Sequence, residues 1–396
     1  MPTFSFLYSI PYILLFLLLY VNVLPIYKTN GAITFNNRCN IWLQQFSIVM
    51  ILIVFIGFRG FVYTDWFSYY PYFNSAPSLF DGIYSINRFL EKPWESGFLL
   101  YTIVLKTIFP NYFFFQFISF IINLLVLFCF FKRVIPNQIV FGFLFYIIFS
   151  GLVLEFNLLR TSKSIMIFLI SLKYLEEKKI IKYTALNIFG SLFHISSILY
   201  IPLYFFLNKK YPKIFVLSFF IIGNIIFVFQ VEWFRLILTY IFNIIPGRLG
   251  KLTHIYLSSE AYGISIGYLE RFFTFIFIYC LSNKLCKVNK NNLIYINAYY
   301  LYGLLFLYFS EMDIIFERVA ILFVFSYWVL YPQIFSFLDK RSKQVFLILV
   351  LIFGVLKMGI GNRDILALYD NVLLRHRSYQ ERAIIFNYHA RYIWSQ

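Results

Sequence analysis

Charge is the scarce ingredient of this sequence. Only 13% of its 396 residues are Asp, Glu, Lys or Arg, where a soluble domain carries about 25%. Acidic residues are the scarcer half, 17 against 34 basic ones. Long hydrophilic stretches are missing too. None exceeds about 35 residues, which leaves no room for an independent soluble domain. Cysteine is rare and scattered: Cys39, Cys129, Cys280 and Cys286 show neither metal-ligand spacing nor a disulfide framework. They read as small hydrophobes. There is no internal repeat and no low-complexity linker. Residues 1–22 lack a basic leading region and a small-residue cleavage site, so a membrane anchor is expected there and not a cleaved signal.

What fills the space is apolar: 61% of the residues, against about 45–50% in soluble domains. Runs long enough to cross a hydrocarbon core of about 30 Å recur from end to end. Spans are expected over 5–25, 41–57, 111–131, 137–153, 157–175, 214–231, 264–282, 293–310, 318–337 and 344–360. Three segments are ambiguous: 97–109 is short, 183–207 is interrupted by His194, Ser196, Ser197 and Pro202, and 231–246 is amphipathic. The expected fold class is an all-α, polytopic integral membrane protein with about 11–13 transmembrane or re-entrant helices. It would form a single transmembrane domain over 1–396, with an external loop at 58–93 and an external tail at 362–396.

The net charge of +17 does not point to nucleic acid, because the basic residues form no stripe. They gather in short loops such as KYLEEKKIIK (173–182), KLCKVNK (284–290) and KRSK (340–343). The positive-inside rule puts those loops in the cytoplasm. The segments around Glu155–Arg160 and Glu311–Arg318 then fall outside. Two parities stay open: whether 183–207 is a pair of half-helices with His194 near its tip or a single span with 231–246 spanning too, and which of 97–109 and 111–131 fails to cross.

Chemistry in such a chain concentrates where ionisable groups meet helix ends, since a charge placed in a span costs about 2.5–3.5 kcal/mol unless it has a partner or a task. The loop FRGFVYTDWFSYYPYF sets Arg59 and Asp65 beside Trp66, Tyr69 and Tyr70. Flat aromatic faces with polar tips suit sugar rings, and they equally suit an interfacial belt. Glu95 opens an apolar run, as a helix cap or as a functional carboxylate. In LEFNLLRTSKSI, Asn157 and Arg160 share a helix face and Lys163 lies one turn deeper. Cations there suit a diphosphate at headgroup depth, Arg more than Lys because its planar fork binds phosphate bidentately. Snorkelling to lipid headgroups is the plain alternative. His194 lies among apolar residues, as a satisfied core histidine or as a base working near neutral pH. Glu311 and Asp313 have the spacing of acidic metal motifs in lipid-phosphosugar glycosyltransferases. Those motifs usually sit in the first external loop, so no metal and no other cofactor is expected. Arg318 opens the next span as a phosphate or sugar contact. The tail holds Arg375, His376, Arg377, Arg382 and Arg391, which also fits a basic segment lying on the membrane.

Four stretches together resemble the EpsG family of Wzy-type polysaccharide polymerases. They are FRGFVYTDWFSYY (58–70), ESGFLLYTIVLK (95–106), the block FNLLRTSKSI…GSLFHISSILYIPLYF (156–205) and DIIFERVAILF (313–323). Their order and spacing match over most of the chain. One departure is local: the glycine usual just before the loop aspartate is Tyr63, with Thr64 between. The resemblance implies a fold like that of other lipid-linked glycosyltransferases of the membrane (GT-C-like) and residence in a bacterial inner membrane with the active site facing outward. It implies metal-independent, inverting polymerisation of undecaprenyl-diphosphate-linked repeat units into O-antigen, capsule or exopolysaccharide. Membrane lipids, a flippase and a chain-length regulator would be its neighbours. On that reading His194, with Asp65 as runner-up, takes the acceptor proton. Arg160 and Arg318 hold the diphosphate, assisted by Arg59, Arg377 and Lys163. Trp66, Tyr69, Tyr70, Asn157, Glu95 and Asp313 contact sugars. The rival readings are a flippase of lipid-linked oligosaccharide, which predicts symmetry-related halves, and an O-antigen ligase.

Overall fold

The structure, a computed structural model, describes residues 2–28, 35–244, 261–312, 318–374 and 376–394. It is 78% helical, and no strand occurs among the described residues. The all-α polytopic membrane architecture read from the sequence is the one observed. Among the described residues four helical segments are long and apolar enough to cross a membrane: Phe6–Pro25, Tyr112–Val134, Pro136–Phe156 and Lys340–Gly361. The pair Lys213–Val228 and Trp233–Tyr240 passes only when taken together and bends by 79° at its break, as a broken span or a re-entrant loop does.

The chain falls into two compact units. Unit 1 comprises Met1–Ile201 and Tyr331–Gln396, and unit 2 comprises Pro202–Leu330. Unit 1 contains α1 (Ile10–Lys28), α2 (Phe35–Leu52), α3 (Trp66–Asn74), α4 (Ile83–Leu90), α5 (Ser96–Ile108), α6 (Tyr112–Val134), α7 (Ile139–Tyr146), α8 (Leu152–Phe156), α9 (Leu159–Glu176) and α10 (Ile180–Ser191). The helix α6 shows the local logic. Asn111 accepts the N–H groups of Phe113 and Phe114 at the start, and Lys132 and Arg133 occupy the last turn, where a cation complements the carbonyl end of the dipole.

Several expected spans are interrupted. Residues 137–153 become α7, a break at Phe149 (φ −110°) and Ser150 (φ 68°), and α8. Segment 183–207 is broken beside His194: α10 stops at Ser191, and a 3₁₀ turn runs Ile195–Tyr200. At 13 residues α5 is about 20 Å long, short of the core thickness.

In the loop 58–93 most of the aromatics up to Phe73 pack on one another, whereas Phe80 and Tyr84 are exposed. Phe61, Trp66, Tyr69, Tyr72 and Phe73 join Phe98, Tyr112 and Phe115 in one buried cluster. The tail 362–394 completes it. Backbone hydrogen bonds run from Gly60 N to Asp370 O, Tyr63 N to Leu366 O and Val372 N to Phe58 O at 2.8–2.9 Å. Tyr379 and Phe386, on the last helix of unit 1 (Tyr379–Trp394), pack on Trp66 and Phe67. Burial of these rings favours the tail docked on the loop over a helix lying on the membrane.

In unit 2, α11 (Lys213–Val228) and α12 (Trp233–Ile244) flank the bend, followed by α13 (Ile266–Val288) and α14 (Asn292–Phe309). Glu311 is a helix cap. Its two carboxylate oxygens accept Phe234 N at 2.7 Å and Arg235 N at 3.2 Å, which satisfies the first turn of α12. Arg271 lies over the Phe306 ring at 4.4 Å and donates to Tyr302, while the neighbouring Glu270 accepts from Tyr327.

Candidate active site

Helix α9 begins immediately after the α8 turn, so Asn157 and Arg160 emerge at the junction. The Oδ1 of Asn157 accepts the N–H of Thr64 at 3.1 Å and of Asp65 at 3.3 Å. That fixes the backbone ahead of α3, whose N-cap is Asp65. One turn into α3, the Tyr69 hydroxyl accepts from Arg160 Nε at 3.3 Å. Burial pushes the Tyr69 phenol up to about 12, with Arg160 pulling the other way, so Tyr69 stays neutral and keeps its own O–H to donate.

Arg160 is the hub. Its Nη1 meets Glu95 Oε2 at 2.7 Å, and its guanidinium lies 4.6 Å from the centre of the Trp94 ring. Trp94 is in turn stacked on Tyr72 at 3.9 Å. A guanidinium over an indole is held flat without losing a donor. Among the described residues no hydrogen bond occupies Nη2, and the side chain is 28% exposed. The outcome is a cation anchored on two nitrogens with one left for a ligand.

Glu95 joins a third element. Its Oε1 accepts Ile195 N at 3.4 Å, in the turn that begins at His194. Gly97 lets α5 approach that turn. A side chain there would bring a Cβ to 2.7 Å from Leu192 Cβ, and Phe98 N bonds Leu192 O across the contact. His194 Nδ1 lies 2.7 Å from Ser196 Oγ and accepts Ser196 N at 3.3 Å. The imidazole therefore caps the 3₁₀ turn. An acceptor at Nδ1 puts the proton of the neutral ring on Nε2, which suits a hydrogen-bond donor better than a base.

The structure thus gathers Asp65, Tyr69, Glu95, Asn157 and Arg160, with the His194 turn touching Glu95. It puts other expected residues elsewhere. Arg59 is 1% exposed and donates to the carbonyls of Ile56 and Glu155 at 2.8 and 2.6 Å, so it braces backbone and presents no fork to a phosphate. Lys163 is buried against α6, donating to Ser119 O and to Asn123 Oδ1. Asn123 donates in turn to both oxygens of the buried Glu155, which also accepts from Tyr146. Trp66, 2% exposed, is enclosed by Phe61, Phe67, Tyr379 and Phe386, leaving no face for a sugar. Tyr70 stacks on Tyr379 at 4.7 Å. Arg377 pairs with Asp370 at 3.9 Å in the tail. Arg318 belongs to unit 2, where it is exposed. Asp313 lies outside the described residues, as does Arg375.

Sequence reading passed over Trp94 although it adjoins Glu95, and it missed Asn123, whose polarity inside the apolar run 111–131 was the available signal. The adjacent charges Glu270 and Arg271 in 264–282 were a second such signal. Asp370 gave none.

A family model described as the EpsG family matches residues 42–363, a stretch that holds every member of the Arg160 cluster. No curated protein matches the chain, and no solved structure does.

Proposed function

The chain belongs to the EpsG family of Wzy-like polysaccharide polymerases, and from that premise we propose that it joins lipid-diphosphate-linked oligosaccharide repeat units into a surface polysaccharide. A polymerase-type glycosyl transfer in a membrane is the coarse activity the family carries. The finer reading is ours. The donor is a growing glycan on undecaprenyl diphosphate, the acceptor is one lipid-linked repeat unit, and the reaction takes place at the outer face of a bacterial cytoplasmic membrane.

The observation that carries this reading is the Arg160 guanidinium, clamped by Glu95, Tyr69 and Trp94 with Nη2 uncommitted. An acceptor hydroxyl attacks the anomeric carbon from the face opposite the leaving group. The new C–O bond forms as the bond from that carbon to the diphosphate oxygen breaks, and the lipid diphosphate leaves with the electron pair. A diphosphate needs no general acid. It needs positive charge where negative charge collects, which Arg160 supplies. Asp65, presented at the start of α3 by Asn157, takes the acceptor proton. His194 serves through Nε2–H, and Glu95 keeps the Arg160 fork at its angle. Arg318, Tyr70 and Asp313 remain candidates for glycan or phosphate contact. A flippase and a chain-length regulator are the protein partners that belong to this proposal.

The test is extension of lipid-linked repeat units by purified protein in detergent, where a flippase shows nothing. A hydrogen bond to a charged group contributes about 1.5–3 kcal/mol, so Arg160→Ala should lower kcat/KM about 10- to 150-fold, with Arg160→Lys in between. Unaltered chain extension by an inserted Arg160→Ala protein sinks the assignment.

A further inference from the structure

The tail holds a second polar site, apart from the Arg160 hub. A pocket of about 440 Å³ is lined by Asp370, His376, Arg377 and Glu381, within the range of about 300–1,000 Å³ usual for small-ligand sites. The Asp370 side chain is 2% exposed. Its Oδ2 accepts Arg377 N at 2.8 Å and faces Arg377 Nη1 at 3.9 Å. Among the described residues no hydrogen bond reaches its Oδ1. Behind it sits Arg382, 1% exposed. Arg382 donates Nη2 to Leu366 O at 3.0 Å and leaves Nε and Nη1 without partners. Buried polar atoms are seldom left unmatched unless a ligand or ordered water completes them.

The pocket is built by close approach. Gly60 faces it, and a Cβ there would stand 3.0 Å from Asp370 Cβ and 3.3 Å from His376 Cβ. Gly60 N also bonds Asp370 O at 2.9 Å. Phe113 meets the His376 ring edge-to-face at 4.9 Å, which steadies the imidazole at the pocket's edge.

The donor set defines the ligand. Two carboxylates accept only, a guanidinium donates only, and an imidazole can do either. A neutral sugar ring offers hydroxyls that donate to the first and accept from the second. Asp370 and Glu381 balance Arg377 and Arg382, so the pocket has no surplus positive charge with which to hold a uronic acid or a phosphate. We propose that this pocket is a subsite for a neutral hexose or N-acetylhexosamine ring of the glycan. The proposal rests on the polymerase reading for the identity of the glycan, and on the pocket alone for the class of sugar.

The experiment uses the full chain in lipid nanodiscs and saturation-transfer NMR with glucose, galactose, N-acetylglucosamine and glucuronate as probes. At least one neutral sugar should receive transfer and glucuronate none. The signal should fall at least tenfold in Asp370→Asn and persist in Arg160→Ala. Should Asp370→Asn fail to give a monodisperse protein, His376→Ala carries the test, because this exposed imidazole rests only on Phe113 among the described contacts. The subsite is overturned if no neutral sugar receives transfer, if glucuronate matches them, or if the folded pocket variant keeps full signal. The two readings fail separately. Asp370-dependent sugar binding in a protein that cannot extend lipid-linked glycans leaves the subsite standing and removes the polymerase. Extension that is indifferent to Asp370→Asn in both acceptor KM and sugar signal does the reverse.

Discussion

Tyr63 adopts φ 61°, a left-handed conformation that costs an L-residue about 1–2 kcal/mol. It is the position where the family resemblance leads one to expect a glycine, and the conformation supplies the reason. The ring offsets the strain. It lies 5.2 Å from Phe156 and 6.2 Å from Tyr12, and its hydroxyl bonds Asn362 Oδ1. Three variants separate these effects. Tyr63→Phe loses one hydrogen bond, about 1 kcal/mol. Tyr63→Ala loses the half-buried ring, about 2–3 kcal/mol given that fully buried aromatics lose about 3–5, and retains the strain. Tyr63→Gly loses the same ring and sheds the strain. At an ordinary position alanine is more stable than glycine by about 0.5–1 kcal/mol. Here the order should reverse, with glycine ahead by about 1 kcal/mol. Thermal unfolding of the detergent-purified variants, followed by fluorescence-detected size exclusion, reads the order. Tyr63→Gly should also retain chain extension, because the N–H groups of Thr64 and Asp65 still reach Asn157. An alanine variant as stable as the glycine variant would refute the account of this turn.

Two further outcomes follow from buried charge and from capping. Lys163→Met should destabilise unit 1 by about 1–3 kcal/mol, because it leaves the buried Asn123 Oδ1 without its donor and removes one of the two cations acting on Glu155, Arg59 being the other. Adding Glu155→Gln should recover part of that loss in a double-mutant cycle, and strict additivity would show that the two charges are not coupled. Glu311→Ala should cost about 0.5–2 kcal/mol by uncapping α12, with the same response to Mg²⁺, Mn²⁺ and EDTA as the parent chain. A variant whose melting is unchanged, or whose loss is specific to a divalent ion, contradicts the capping role.

The parts of the site that were readable in the sequence were those set close together along the chain. Asn157 and Arg160 both converge on the site, but by nearness in sequence and not by a shared helix face, since Asn157 closes α8 and Arg160 opens α9. Lys163, three residues beyond Arg160, looked equivalent, but its direction depends on where α6 sits. Asn123 and Ser119 draw it into the interior, and α6 lies some forty positions away in sequence. Trp66 and Tyr69 were alike as aromatic residues of one loop. Only the tertiary placement of Tyr379 and Phe386 buries the first, and only Arg160 recruits the second. Glu95 gained its meaning from long-range pairing, as did Asp370. Among the described residues, hydropathy agrees with the structure at 5–25, 111–131, 137–153, 214–231 and 344–360, while the other expected spans are not long and apolar enough to cross by themselves. Nor could it see the breaks at Ser150 and His194, since a positive φ or a side-chain cap leaves no mark on an average of apolar residues.

The threading of residues 363–372 against 58–63 has a consequence for how the enzyme comes into being. The loop that presents Asp65 takes its shape from partners about three hundred positions downstream, so it cannot be fixed while the ribosome is still delivering the middle of the chain. Contacts of such long sequence separation form late. A nascent chain still lacking residues 363–372 therefore has a 58–63 segment without its backbone partners, and the loop can take its final shape only once those residues have been delivered.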